Sequence, residues 1–259
     1  LSLIFIGDIH QAWDVVERGL AALDPLPRAA VLLGDIQCER PLDELAEPLL
    51  SRGIAVLWIF GNHDNDGGPE MWANLTDRGR NPRTAPGALH GRVAIVQGLR
   101  VAGLGGTFRP RIWQPPDPPR VFARAQLAQH LTDGTSAWPD SHVAALHHSL
   151  SSAAIWPEDY DHLAAQRADI LVTHEAPSSH PAGNAALDAL ARRMGARLVV
   201  HGHHHVTYRT RANDGLVVMG IAAAWAVSAE GTVLWTGEPP RPMPPLRDGW
   251  SLEGTASTR

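Results

Sequence analysis

The segment Leu3-Ile4-Phe5-Ile6-Gly7-Asp8-Ile9-His10 sets the grammar of this chain. Four consecutive apolar residues suit a short strand buried on both faces, where polar alternation would place side chains against the wrong surroundings. The run stops at a glycine. Beyond it Asp8 and His10 offer an oxygen and a nitrogen donor two residues apart, with Ile9 free to point back into the core. The same phrase recurs twice. Ala29–Leu33 ends at Gly34-Asp35, and Ile54–Phe60 ends at Gly61-Asn62-His63. Helical spacing fills the intervals, with Trp13, Val16, Leu20 and Leu23 in the first and Leu42, Leu45 and Leu49 after Pro41 in the second. Strand, glycine corner and helix in alternation predict an α/β fold.

Further along, Val93–Val96 and Leu99–Leu104 read as two short strands, and Phe122–His130 as a helix. Leu131–Ser141 reads as a loop, and Val143–Leu146 as a strand leading into His147-His148. A helix is expected from Pro157 to about Arg167, since proline suits the first helical position and acids suit the first turn. Asp169–Thr173 is a strand ending at His174. Asn184–Met194 is an amphipathic helix with Gly195 as its stop. Leu198–Val200 ends at His201-Gly202-His203-His204-His205, and Val206–Arg211 with Gly215–Met219 reads as a hairpin before a strand at Gly231–Trp235. Residues 1–237 are expected to form one domain with an irregular rim or lid around 105–142, and 238–259 a proline-rich surface extension.

Composition narrows the function classes. Twenty-two Lys and Arg against 27 Asp and Glu give a formal charge of -5, so there is no basic excess to neutralise a polynucleotide and no long nucleic acid is expected as partner. Small anionic substrates stay open if a metal supplies positive charge. Cys38 is the one cysteine, which suits a reducing compartment, and the apolar start meets Asp8 too soon to read as a signal peptide or membrane span. A cytoplasmic protein without a membrane partner is the expectation. Oligomeric state stays open.

The telling pattern is where metal-type residues fall. Asp8 and His10, Asp35, Asn62 and His63, His174, and His203 and His205 all sit just past the carboxyl ends of predicted strands. In open α/β sheets the ligand crevice lies outside those ends. A lone histidine after a strand is ordinary, whereas five strand ends each offering a donor are not. Mixed imidazole and carboxylate donors suit Mn, Fe or Zn better than Ca or Mg. With a single cysteine there is no thiolate zinc site.

These residues resemble the calcineurin-like metallophosphoesterase family through Asp8-x-His10, Gly34-Asp35, Gly61-Asn62-His63-Asp64, His174 and Gly202-His203-x-His205. The resemblance implies a four-layer sandwich of two mixed β-sheets flanked by helices. It also implies two metal ions, the first held by Asp8, His10 and His205, the second by Asn62, His174 and His203, with Asp35 shared. A hydroxide bridging the pair would attack a phosphoester, His63 would serve the leaving oxygen, and Asp64 would orient His63. A second acid is often found three or four residues after the Gly-Asp in the family, but here Cys38 and Glu39 follow. Arg40 stands one place later than the phosphate-contacting arginine of the protein-phosphatase branch, so that role is not carried over.

The substrate is expected to be a small phosphoester or nucleotide, either mono- or diester. Arg109, Arg111 and Trp113, in a stretch rich in proline, are candidate substrate contacts on a lid, set against a plain surface loop whose tryptophan covers the core. The alternative from another class is a catalytically silent member used as a protein-binding scaffold. Loss of metal ligands would mark such a member, and all seven are present.

Overall fold

The computed structural model describes residues 2–135 and 138–253. The first half builds β1 (Leu3–Ile6), α1 (Trp13–Ala21), β2 (Ala29–Leu32), α2 (Leu42–Leu45), α3 (Glu47–Leu50) and β3 (Ala55–Trp58). Next come α4 (Gly68–Thr76), the hairpin β4 (Arg92–Val96) and β5 (Leu99–Leu104), and the helices α5 (Leu127–Thr135), α6 (Asp140–Ala153) and α7 (Pro157–Ala164). The last part runs β6 (Ile170–Thr173), α8 (Ala185–Met194), β7 (Leu198–His201), β8 (Tyr208–Ala212), β9 (Val217–Gly220), β10 (Ala226–Ser228), β11 (Val233–Trp235) and β12 (Trp250–Leu252).

Two mixed sheets result. One has the order β11-β10-β1-β2-β3 and the other β12-β8-β9-β7-β6-β5-β4. β1, β2 and β3 run parallel, with Ile6 beside Leu32 and Leu32 beside Trp58. β5, β6, β7 and β9 run parallel in the second sheet. All four residues of β1 are buried, for a simple reason: Leu3 and Phe5 enter the layer between the sheets with Val31, Val172 and Val200, while Ile4 and Ile6 pack outward against Val16, Leu20 and Leu49. The second sheet buries its outer face under α7 and α8 through Leu163, Leu187, Leu190 and Met194. The architecture is therefore an α/β sandwich of two mixed sheets between helical layers, as the resemblance implied. Asn184 caps α8 by accepting from the Ala186 amide, and Gly195 closes it at φ 77°.

Three expectations are corrected. Val143–Leu146 is not a strand but part of α6, which buries Leu150 and Ala153 and packs against α4. A four-residue apolar run fits a helix turn as well as a strand, and Pro139-Asp140 supplies the helix start. The loop expected over Leu131–Ser141 gives way to α5 as far as Thr135 and to α6 from Asp140, while residues 136 and 137 lie outside the described residues. The C-terminal segment is not only a surface extension. β12 pairs antiparallel with β8, and Glu253 bonds Arg209 and Arg211 beside it. Residues 254–259 lie outside the described residues. Among the described residues no helix is long and apolar enough to cross a membrane.

Candidate functional site

The parallel registers bring the strand-end residues together. Because Ile6 and Leu32 are partners, the loops after β1 and β2 leave side by side, and the His10 amide donates to the Asp35 carbonyl at 2.9 Å. Thr173 and His201 are partners in the other sheet, so His174 and Gly202 emerge together. His174 then reaches across the sandwich. Its Nδ1 donates to the Leu33 carbonyl at 2.8 Å, which leaves Nε2 3.3 Å from Asp35 Oδ2 and 3.1 Å from Asn62 Oδ1. Asp8 Oδ2 accepts from the His203 amide at 2.7 Å and lies 3.5 Å from His205 Nε2. His10 and His205 meet with their Nε2 atoms 3.2 Å apart, while His10 Nδ1 bonds Gln37 Oε1 at 2.9 Å. All seven expected donors therefore converge between the two sheets.

The electrostatics are those of a site short of positive charge. Asp8, Asp35, Asp64 and His174 are all essentially inaccessible to solvent. Burial pushes the Asp8 carboxyl up to about 7, with the Asp35 charge adding to it and His174 opposing. Burial would raise Asp35 as well, but the charge and hydrogen bond of His174 and the His63 amide hold it below the usual carboxylate range. Burial works against a charged His174, yet Asp35 and Asp8 raise it to about 10. His203 and His205 are pushed down to about 3 and about 4, by burial first and then by neighbouring imidazoles. They are neutral and so present lone pairs.

The residues fit a metal pair. Asp8 Oδ1 is buried with no hydrogen-bond partner, an unfavourable state for a carboxylate that a cation would relieve. Among the described residues two groups of ligand atoms lie close enough to hold an ion, Asp35-His174-His203 and Glu175-His203-His204, sharing His203. Three glycines keep the cradle open. A Cβ on Gly34 would sit 2.6 Å from His174 Nδ1, one on Gly61 would collide with the Asp35 carboxylate, and one on Gly202 with that of Asp8. His10, Asp35, His203 and His205 hold left-handed backbone, with φ of 42°, 46°, 69° and 54°. These angles aim side chains that relaxed strand ends would turn elsewhere.

Other expected residues fare differently. Asp64 does not touch the His63 ring. It is fully buried and accepts from the Gly61 and Gln37 amides, each at 2.7 Å, fastening two loops together. His63 instead bonds Asp66 through Nδ1. Trp113 packs edge-on against Phe108 and Tyr160 and donates from Nε1 to the Asp117 carbonyl at 3.1 Å, so it covers core and is not a free stacking face. Arg111 lies over the Trp138 ring, and Arg109 is half-buried. Sequence reasoning passed over Gln37, Asp66, Glu175 and His204. Only the run of three histidines after Gly202 hinted at the last, because the others become neighbours through loop geometry alone.

The chain is 35% identical over 237 residues to an uncharacterized protein of Haemophilus influenzae, covering 90% of this chain and 96% of that one. Its fold is similar to that of a Thermus thermophilus protein, TT1561, with a TM-score of 0.50 at 12% identity, over 87% of this chain and 93% of that one. Residues 1–207 match the calcineurin-like phosphoesterase family, a span that holds every donor described above. The chain belongs to that family.

Proposed function

We propose that this protein hydrolyses a phosphoester bond of a small phosphorylated compound or nucleotide, monoester or diester, with two metal ions of the Mn, Fe or Zn type. One observation carries the reading: a buried cluster of Asp8, Asp35 and His174 with a carboxylate oxygen that no hydrogen bond satisfies, flanked by the neutral imidazoles of His203 and His205. Asp8, His10 and His205 would hold one cation, and Asn62, His174 and His203 the other, with Asp35 between them. When bound, such a pair supplies Lewis acidity to the phosphoryl oxygens and lowers the pKa of an attacking water.

His63 stands at the rim, about half exposed, with its ring 5.8 Å from that of His10. Asp66 on Nδ1 leaves Nε2 to face the leaving oxygen. In the reaction the water oxygen bonds to phosphorus, the ester P–O bond breaks, and the leaving oxygen takes the proton from His63. Bulk water then returns a proton to His63, and the water that attacked loses one. Proton donation of this kind contributes roughly 10²–10⁴-fold.

The test is hydrolysis of paired monoester and diester reporters by metal-stripped protein refilled separately with Mn, Fe, Zn and Mg, with Asp35→Asn as control. Metal-restored turnover that the control lacks is the expected result. Tightly bound metal with no turnover of any ester would overturn the reading in favour of a silent scaffold.

A further inference from the structure

Of the two donor groups at the centre, only Asp35-His174-His203 is drawn wholly from the seven expected donors. Glu175 and His204 stand outside that set and meet beside His203. Glu175 Oε1 and His204 Nε2 lie 3.7 Å apart, too far for a hydrogen bond. Two ligands at tetrahedral zinc stand about 3.3 Å apart, given bonds of about 2.0–2.1 Å, so a small closing movement would seat an ion. One ligand atom each from Glu175, His203 and His204 already lies within 4.8 Å of the other two. His204 Nε2 is buried with no hydrogen-bond partner, which is costly for a polar atom unless something binds it.

The surroundings hold these donors in place without satisfying them. Glu175 accepts the Ala176 amide on Oε1 at 3.1 Å, and its carbonyl accepts the Thr173 hydroxyl at 2.8 Å. The buried His180 ring stacks on that of His204, with centroids 3.9 Å apart and planes 12° from parallel. His180 Nδ1 in turn accepts the Ala182 amide at 3.2 Å. Arg247 lines the same cavity of about 580 Å³ as Glu175, yet it donates to the Pro181 carbonyl. That cavity gives an ion a way in past Glu175. We propose that Glu175, His203 and His204 form a separate site for one zinc-type cation. Two imidazoles and a carboxylate are the donor set of an open three-ligand zinc site, and the mixture suits a borderline metal better than Ca or Mg. A neutral imidazole has one lone pair, so His203 serves either this ion or the proposed pair at a given moment. The site does not depend on the hydrolytic reading.

Asp35→Asn disables the pair and frees His203, so the site is tested in that background. Equilibrium dialysis with zinc should show one ion bound per chain by Asp35→Asn. Binding should be at least tenfold weaker in the two double variants that add Glu175→Gln or His204→Gln. No zinc held by Asp35→Asn, or equal affinity in all three proteins, would overturn the proposal. Nitrogen NMR of the histidine rings in Asp35→Asn needs no further substitution. Zinc should shift the rings of His203 and His204 and leave those of His10 and His205 unmoved, and shifts confined to His10 and His205 would overturn the site. Two zinc ions in the wild type that Asp35→Asn loses entirely would leave the pair standing and remove this site. Zinc held by Asp35→Asn, with no ester turned over by the wild type, would keep this site and remove the hydrolytic reading.

Discussion

Nδ1 of His63 lies 2.6 Å from Oδ2 of Asp66, three residues on in the same loop. The nearer acid, Asp64, is turned into the protein and commits both oxygens to backbone amides. A carboxylate on one ring nitrogen fixes the tautomer and orientation of the other. Asp66, and not the adjacent Asp64, is the acid in contact with the His63 ring.

Asp66→Asn is therefore expected to slow esters with poor leaving groups about tenfold or more, while esters of acidic phenols, which need no proton, change little. Metal content should stay at the wild-type level. A uniform fall across leaving groups, measured as kcat against leaving-group pKa, would show that Asp66 acts only through the loop.

Gly61 supports the centre by having no side chain. An added methyl would collide with the Asp35 carboxylate and stand 2.5 Å from the His174 ring. Gly61→Ala is expected to weaken metal binding at least tenfold, with every donor residue still present. Gly53→Ala, where the space is open, should keep full affinity and lose only stability, on the order of 1 kcal/mol, because its φ is 72°. Equilibrium dialysis of both variants checks the pair.

Metal uptake should release protons at neutral pH. His174 is raised to about 10 in the metal-free protein and must be neutral to bind a cation. Below that value each ion held by its Nε2 displaces a proton, so affinity rises with pH. The metal-free fold behaves oppositely. A histidine raised above its unfolded value of 6.5 lends stability that is complete below pH 6.5 and lost as pH climbs toward 10. Calorimetry in buffers of different ionisation enthalpy, with melting curves from pH 6.5 to 9, checks both trends.

A second network, away from the centre, contributes to acid stability. Asp159 accepts from His90 Nε2 at 3.0 Å and from Arg124 at 2.6 Å, and His90 Nδ1 in turn accepts the Gly105 amide. Burial would raise this carboxyl, but the hydrogen bonds from His90 and Arg124, with the Arg124 charge behind one of them, hold it down at about 2. A depressed carboxyl stabilises fully above its unfolded pKa and loses that contribution as pH falls through the folded one. The wild-type protein should exceed Asp159→Asn by about 2 kcal/mol at pH 5. That gap should shrink as pH drops from 4 toward 2, as urea denaturation would report.

Most of the sandwich was legible because β1, β2, β3, β6 and β7 are buried on both faces and carry continuous apolar runs. Helix α8 announced itself through Asn184 and Gly195. What escaped depended on contacts distant in sequence or on ambiguity of period. Val143–Leu146 is too short to separate strand from helix, and Trp250–Leu252 is a strand only because β8 offers it an edge. At the site, Asp8, Asp35 and His174 could be read from their places after strands. Asp66 could not, since only the fold of its loop singles it out from the neighbouring Asp64.

Left-handed backbone at His10, Asp35, His203 and His205 gives the proposed cation site an evolutionary cost. Each residue loses on the order of 1 kcal/mol that glycine would avoid and asparagine would lessen. Selection for heat resistance alone would replace all four. Were the proposed cations dispensed with, a gene duplicate should drift first at these positions and its metal-free fold should grow more thermally robust.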